Sequence, residues 1–218
     1  MEDRYKTVYG RGVGELTEKK SRFLAEVRHV ETEEEALAFI EETKKKYWDA
    51  RHNCFAYTIG KNREYTRASD DGEPSGTAGR PMLDVLLGEE LYNTAVVVTR
   101  YFGGVLLGTG GLVRAYSGAV QEGLKGSQII ERIKGISLRV DTDYTGLGKI
   151  QYIVGERGLS LLNTEYTDKV TLWVLVPEDQ IGSLQKAITE GTSGKAVMTK
   201  EKDLWFAEVN GAPEIFEN

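Results

Sequence analysis

Ten glycines crowd into residues 72–118, eight of them in two clusters that each run into an apolar helical pattern, and this stretch restricts the possible folds more than any other. The clusters read DDGEPSGTAGRP at 70–81 and YFGGVLLGTGG at 101–111. Between them Thr94 to Tyr101 is the most strand-like run of the chain, with Ala95 to Val98 continuously apolar, as in a strand covered on both faces. The helix after the first cluster opens near Arg80 or Pro81, a residue suited to a first helical turn, and carries Met82, Val85 and Leu86. The helix after the second presents Leu112, Val113, Tyr116 and Val120 and stops around Gly123 to Gly126.

Upstream, residues 6–14 and 20–30 read as two strands, the second alternating Phe23, Ala25 and Val27 on one face with Leu24, Glu26 and Arg28 on the other. A helix follows, with a capping box of Thr32 and Glu35 and a stripe of Ala36, Phe39, Ile40, Thr43 and Tyr47. Glu33 to Glu35 at its start and Lys44 to Lys46 at its end suit the helix dipole. Cys54 to Ile59 forms another strand, and a Gly-Lys-Asn turn leads to one more at Glu64 to Ala68. These elements predict an α+β domain over residues 1–130. Beyond it come a strand at Ile136 to Val140, a helix marked by Leu147, Ile150, Gln151 and Val154, and two strands meeting around Thr167 to Lys169. A helix with Ile181, Leu184 and Ile188 and a strand within Lys195 to Glu208 complete the order βαββαβ, which predicts a ferredoxin-like domain over 136–207. Residues 208–218 have little periodicity and read as a mobile tail.

With 40% hydrophobic residues in a chain of 218, sizeable cores form without staples. A single cysteine permits no internal disulfide and no multi-cysteine zinc site, which fits a reducing cytosol. The opening MEDRYK lacks the apolar stretch of a signal peptide and no run approaches a membrane span, so a cytoplasmic location without a membrane partner is expected. Formal charge is uneven: residues 1–135 carry 20 Lys and Arg against 21 Asp and Glu, whereas residues 136–218 carry 8 against 13. This acidity argues against a protein that coats duplex DNA without selectivity. It leaves open a local RNA or phosphate site on the nearly neutral first part.

A helix start leaves backbone N–H groups unpaired, and glycines ahead of it let those groups approach a phosphate. Gly103, Gly104, Gly108, Gly110 and Gly111, with Arg100 and Arg114 supplying charge, predict one wall of an anion cradle; Ser75, Gly76, Thr77, Gly79 and Arg80 predict a second. The competing reading of the same glycines is tight turns where helices pack against a sheet. Lys20, Arg22, Arg51 and His52 are candidates for the rim and Tyr101 for stacking on a base, while Phe55, Tyr57, Phe102 and Tyr116 are assigned to packing. GVLLGTGG lacks the lysine of the common phosphate loop, and no Rossmann fingerprint follows a strand. Asp70, Asp71 and Glu73 would hold Mg²⁺ in a phosphotransferase or other nucleotide-dependent, phosphate-processing enzyme, or else form a polar turn before Pro74. Cys54 reads as a small core residue rather than the partner of His52 in a Cys-His nucleophile. No catalytic residue, resident metal or cofactor is expected.

The chain resembles the IMPACT/YigZ-like family, which has bacterial and eukaryotic members. The resemblance rests on VVVTRYFGGVLLGTGGLVRAY at 96–116, KSRF at 20–23, ARHNCFAY at 50–57 and SDDGEPSGTAG at 69–79. The family core GxxLGxGGxVxAY falls here on Gly104, Leu107, Gly108, Gly110, Gly111, Val113, Ala115 and Tyr116, with Leu106 where relatives resemble one another in carrying lysine. The resemblance implies a first domain like the second domain of ribosomal protein S five and domain IV of elongation factor G. It also implies a ferredoxin-like second domain like domain V of that factor. It brings no catalytic set. It implies a nonenzymatic protein that binds RNA or the ribosome in translation regulation, with room for a regulatory protein partner. A chain that opens on the family domain is expected to lack the N-terminal RWD domain of eukaryotic members.

Overall fold

The computed structural model describes residues 4–216, so Met1 to Asp3 of the predicted first domain and Glu217 and Asn218 of the predicted tail lie outside the described residues. The chain divides into two compact units, Met1–Glu131 and Arg132–Asn218. The first is built from β1 (Arg4–Tyr9), β2 (Arg11–Glu18), β3 (Ser21–His29), α1 (Glu33–Lys46), β4 (His52–Ile59), β5 (Tyr65–Ser69), α2 (Gly79–Gly88), β6 (Thr94–Tyr101) and α3 (Gly108–Lys125). Its sheet runs β2-β3-β6-β4-β5 with every neighbouring pair antiparallel. The expected strand at 6–14 is instead two, β1 and β2, because the chain turns at Gly10, whose φ of 70° is one a side chain resists.

The alternation of β3 decides which layer lies where. Phe23, Ala25 and Val27 face Cys54, Ala56, Val96 and Val98 and pack under Met82 and Leu86 of α2 and Leu112, Ala115, Tyr116 and Val120 of α3. On the opposite face Phe55, Tyr57, Ala95 and Val97 pack under Ala36, Phe39 and Ile40 of α1. The central strand β6 is therefore covered on both sides, as its unbroken apolar run requires. Helix α1 starts as the capping box dictates, with the Glu35 N–H donating to Thr32 Oγ1 at 3.2 Å. Helix α3 begins at Gly108, four residues ahead of the first apolar position that announces it.

The second unit holds most of β7 (Gln128–Thr142), then α4 (Tyr144–Glu156), β8 (Ser160–Tyr166), β9 (Val170–Pro177), α5 (Ile181–Gly191), β10 (Val197–Val209) and β11 (Ala212–Phe216). The strand path is β11-β10-β7-β9-β8. Ile136, Leu138 and Val140 join Val170, Leu172, Val174 and Val176 under Ile150 and Val154 of α4 and Leu184 and Ile188 of α5. The expected tail is a correction. Asn210 and Gly211, both at positive φ, turn the chain back so that β11 pairs antiparallel with β10, from Val209↔Ala212 to Trp205↔Phe216. Among the described residues no helix is long and apolar enough to cross a membrane.

One charged residue sits inside the first unit on the α1 side. The Glu26 side chain is fully buried and receives Arg11, Lys46 at 2.5 Å and the Tyr47 hydroxyl at 2.9 Å. Burial pushes its carboxyl up, but the hydrogen bonds from Arg11, Lys46 and Tyr47 outweigh burial and hold it below the usual carboxylate range. A folded pKa below the unfolded one, about 4.3, gives a stabilisation that is complete at neutral pH and is lost as pH falls through the folded value. Replacing Glu26 with Ala should cost about 3 kcal/mol near pH 7, the lower end for removing one partner of a buried pair, since Arg11 and Lys46 can turn to water. Thermal melts of wild type and Glu26→Ala should converge as the pH is lowered below 4.

Candidate functional site

At one end of the first sheet, strand register brings together residues far apart in sequence. Phe23, Arg100 and His52 lie side by side across β3, β6 and β4, and Arg22 pairs with Tyr101. Arg100 and His52 thus share the pleat face of Phe23, while Arg22 and Tyr101 point to the other. Two loops close over this end: residues 70–78 between β5 and α2, and residues 102–107 between β6 and α3.

Arg100 is the centre of the arrangement. Its side chain is 7% exposed; Nη1 donates to Glu73 Oε1 at 2.6 Å and Nη2 reaches Ser21 Oγ at 3.4 Å, while Nε has no hydrogen-bond partner among the described residues. The guanidinium carbon lies 5.5 Å from the ring centroids of both Phe23 and Phe102. Glu73 Oε1 also accepts the Tyr116 hydroxyl at 2.9 Å, and the Tyr116 ring meets Phe23 edge to face at 5.1 Å. Cys54 Sγ lies 3.0 Å from the Asp70 carbonyl oxygen and 3.3 Å from the Tyr116 hydroxyl. Burial pushes the Cys54 thiol up to about 12 and, with Cys54 and Glu73 beside it, the Tyr116 phenol well above its ordinary range. Cys54 is fully buried in the core under α2 and α3, the small core residue expected of it.

The predicted second wall of the anion cradle is already filled from within. Asp70 Oδ1 accepts the N–H groups of Ala78 at 3.0 Å and Gly79 at 2.8 Å, and Oδ2 accepts that of Gly76 at 2.8 Å. Burial raises the Asp70 carboxyl, but these three donors outweigh it and hold the group below the usual range. Thr77 turns its hydroxyl to the Pro74 carbonyl at 2.7 Å, and exposed Arg80 pairs with Asp84. Ser75 is left exposed at the loop tip. Gly79 has a further reason to be glycine: a Cβ there would lie 2.6 Å from the Ser69 nitrogen.

Nor do the three acids form a metal cluster. Asp70 caps the loop and α2, Asp71 Oδ2 accepts the Asn53 N–H at 2.7 Å, and Glu73 is committed to Arg100 and Tyr116. Among the described residues no three His, Cys, Asp or Glu side chains gather as a metal site.

The first wall fares differently. Gly103 packs against the β2–β3 turn, where a Cβ would lie 2.0 Å from the Lys20 carbonyl carbon, and its N–H donates to Ser21 Oγ at 3.1 Å. Gly104 and Gly108 adopt φ of 84° and 70°, so the loop needs glycine there. Gly108, Gly110 and Gly111 belong to the first turn of α3, which has no side-chain cap and no acidic residue, and Gly108, Thr109 and Gly110 are exposed. A Cβ on Gly110 would touch Arg114 Nη1 at 3.6 Å, so that guanidinium lies over the helix start.

Of the candidate cations, Arg22 is taken by Glu15 at 2.7 Å, Arg80 by Asp84 and Arg100 by Glu73. Arg51, Arg114 and Lys20 are exposed and make no ion pair among the described residues. Arg51 and His52 line a cleft of 480 Å³ with Asp49, Arg100, Tyr101, Phe102 and Leu106. His52 Nδ1 pairs with the Asp71 carbonyl oxygen at 2.9 Å, and the Tyr101 hydroxyl donates to Asp49 Oδ1 at 2.8 Å. Phe55, Tyr57 and Tyr116 are buried as expected, but Phe102 is 54% exposed, a correction to its assignment to packing. Sequence reading also passed over Trp48, 82% exposed beside Asp49, and the use of Asp49 itself.

Comparison with known proteins places this geometry. Residues 19–124 match the Impact N-terminal domain, and residues 140–195 match a domain of unknown function, DUF1949. The chain is 44% identical over 204 residues to the IMPACT family member YvyE of Bacillus subtilis, covering 94% of each chain. It is 38% identical over 182 residues to an IMPACT family member of Haemophilus influenzae, covering 83% of this chain and 88% of that one. A solved structure described as that of a hypothetical protein aligns with a TM-score of 0.60 at 31% identity, covering 93% of this chain and 99% of the other.

The capping role of Asp70 predicts its own test. Asp70→Ala strands three backbone donors and should lower stability by about 1–2 kcal/mol, the usual cost of a lost cap. Millimolar Mg²⁺ should leave the melting temperature of the wild-type protein unchanged.

Proposed function

We propose that this chain, which belongs to the IMPACT family, is a nonenzymatic module that binds RNA, on its own or in the ribosome, and acts in translation regulation in the cytosol. The observation that carries the reading is the end of the first sheet. There an uncapped helix start, with exposed residues at 108–110 and Arg114 over it, adjoins a cleft edged by the exposed ring of Phe102 and by Arg51, which makes no ion pair among the described residues. Oriented N–H groups and unpaired arginines hold phosphate oxygens, and exposed rings accept bases. The family resemblance implies a first domain like the second domain of ribosomal protein S five and domain IV of elongation factor G, and this supports the same reading. The proposed contacts are Arg51, Arg114, Lys20, Tyr101 and the turn from Gly104 to Gly111; Arg100 supports them from inside.

Fluorescence anisotropy with short RNAs and with ribosomes, titrated with salt, tests the proposal. Affinity should fall as salt rises, with a logarithmic slope of roughly 0.7 per phosphate held in a single strand. Arg51→Ala with Arg114→Ala should weaken binding about tenfold or more and reduce that slope by about 1–2, one phosphate per arginine. The double variant should melt with the wild type, because neither side chain has an ion pair to lose. Absence of saturable binding to RNA and ribosomes alike would refute the proposal.

A further inference from the structure

The cleft and the helix start beside it differ in charge, and the difference assigns them different parts of a ligand. Within the cleft Arg100 is neutralised by Glu73 at 2.6 Å, and the formal charges of Arg51 and Asp49 in the lining sum to zero, although the two make no ion pair among the described residues. A phosphate placed there would lose its hydration and meet no net positive charge in return. The excess positive character lies outside, on Arg114 and the start of α3.

The walls of the cleft suit a planar, uncharged group. Phe102 offers a ring 54% exposed, with the Arg100 guanidinium 5.5 Å from its centroid. His52 has committed Nδ1 to the Asp71 carbonyl, which leaves Nε2 as its ring nitrogen for a ligand. Asp49 uses Oδ1 for Tyr101, and Oδ2 has no hydrogen bond among the described residues. His52 Nε2 and Asp49 Oδ2 thus give the cleft hydrogen-bonding groups for a base edge, with Arg51 left at its edge. Its 480 Å³ falls within the ~300–1,000 Å³ of sites that take small organic groups. A paired base in a helix has both faces stacked and cannot enter. Leu106, 82% exposed on the rim, and Trp48, 82% exposed beside Asp49, give neighbouring unpaired bases apolar surface.

From this separation, and resting on the RNA-binding reading above, we infer that the cleft takes an unpaired nucleobase of a single-stranded nucleic acid. The base stacks on Phe102 while the phosphates flanking it lie on Arg114 and the start of α3.

The test uses the full chain with short single strands of RNA and of DNA, each carrying one 2-aminopurine, and the matching duplexes. Single strands should bind more tightly than duplexes, with the 2-aminopurine emission quenched in the complex. Phe102→Ala should weaken single-strand binding about 5- to 100-fold, the loss of one stacked base, and remove the quenching. Its melting temperature should fall only slightly, since Phe102 is half-exposed and Phe23 and Glu73 still hold Arg100, and Phe102→Trp should retain both affinity and quenching. RNA bound above DNA adds a ribose contact to the inserted base, whereas equal binding rests recognition on base and phosphate; both agree with insertion. Equal affinity for duplex and single strand, or unchanged affinity and quenching in Phe102→Ala, overturns the inference while salt-dependent binding through Arg51 and Arg114 still stands. No saturable binding of any probe overturns both readings together.

Discussion

The burial of Arg100 at the end of the central strand sets the arrangement of everything around it. A guanidinium withdrawn from water costs several kcal/mol unless opposite charge and hydrogen bonds replace its hydration. Glu73 supplies the charge, Ser21 a longer second contact, and Phe23 and Phe102 the flanking rings. They come from three segments: Glu73 from the 70–78 loop, Ser21 and Phe23 from β3, and Phe102 from the turn after β6. Tyr116 of α3 then holds Glu73 from the far side of the ion pair. One charged contact thereby pins three elements and two loops at a single end of the sheet. The cleft lies at that end, lined by Arg100 and by residues of the strands and loops that this contact holds.

The same reasoning separates what glycines do from what they suggest. A run of glycines ahead of a helix is the signature of an anion cradle, and here two such runs lie at one sheet end. The first encloses an anion that the chain supplies, the Asp70 carboxylate. Gly79 and Gly103 answer a different demand, the approach of one backbone to another, at Ser69 and at Lys20. Only the second run leaves a helix start facing outward. Glycine content therefore identifies where backbones come close, and the partner of each N–H decides whether a ligand has room.

Much of the fold was legible because it rests on local pattern. The β6 run from Thr94 to Tyr101 is observed to the residue, since an unbroken apolar stretch between turns has few alternatives. The start of α3 was hidden because glycine at 108, 110 and 111 has poor helix propensity, and the packing of Leu112, Ala115 and Tyr116 overrides it. Asp70 caps groups six to nine residues downstream, beyond the reach of local capping rules. Phe102 was misjudged by extending strand alternation one residue past Tyr101, where the strand ends. The β10–β11 hairpin carried its own signal, Asn210-Gly211 between Trp205, Ala207, Val209 and Ile215, which the Gly and Pro content of the segment obscured.

Charge arithmetic limits how the proposed site would work. A net charge of −6 repels a polyanion at long range, with the residues from 136 onward carrying the larger share. Within the first unit, ion pairs consume Arg11, Arg22, Arg80 and Arg100, so the candidate cations left to meet phosphates are chiefly Arg51, Arg114 and Lys20. Counterion release from two or three phosphates gives weak and sequence-blind affinity. Useful binding at physiological salt then has to draw on contacts that salt does not screen. Phe102, Trp48 and Leu106 provide such surface at the same end of the sheet. Exposed apolar side chains are a cost to a free protein, through aggregation and lost hydration entropy, and their place beside Arg51 and Arg114 is consistent with a ligand that covers both.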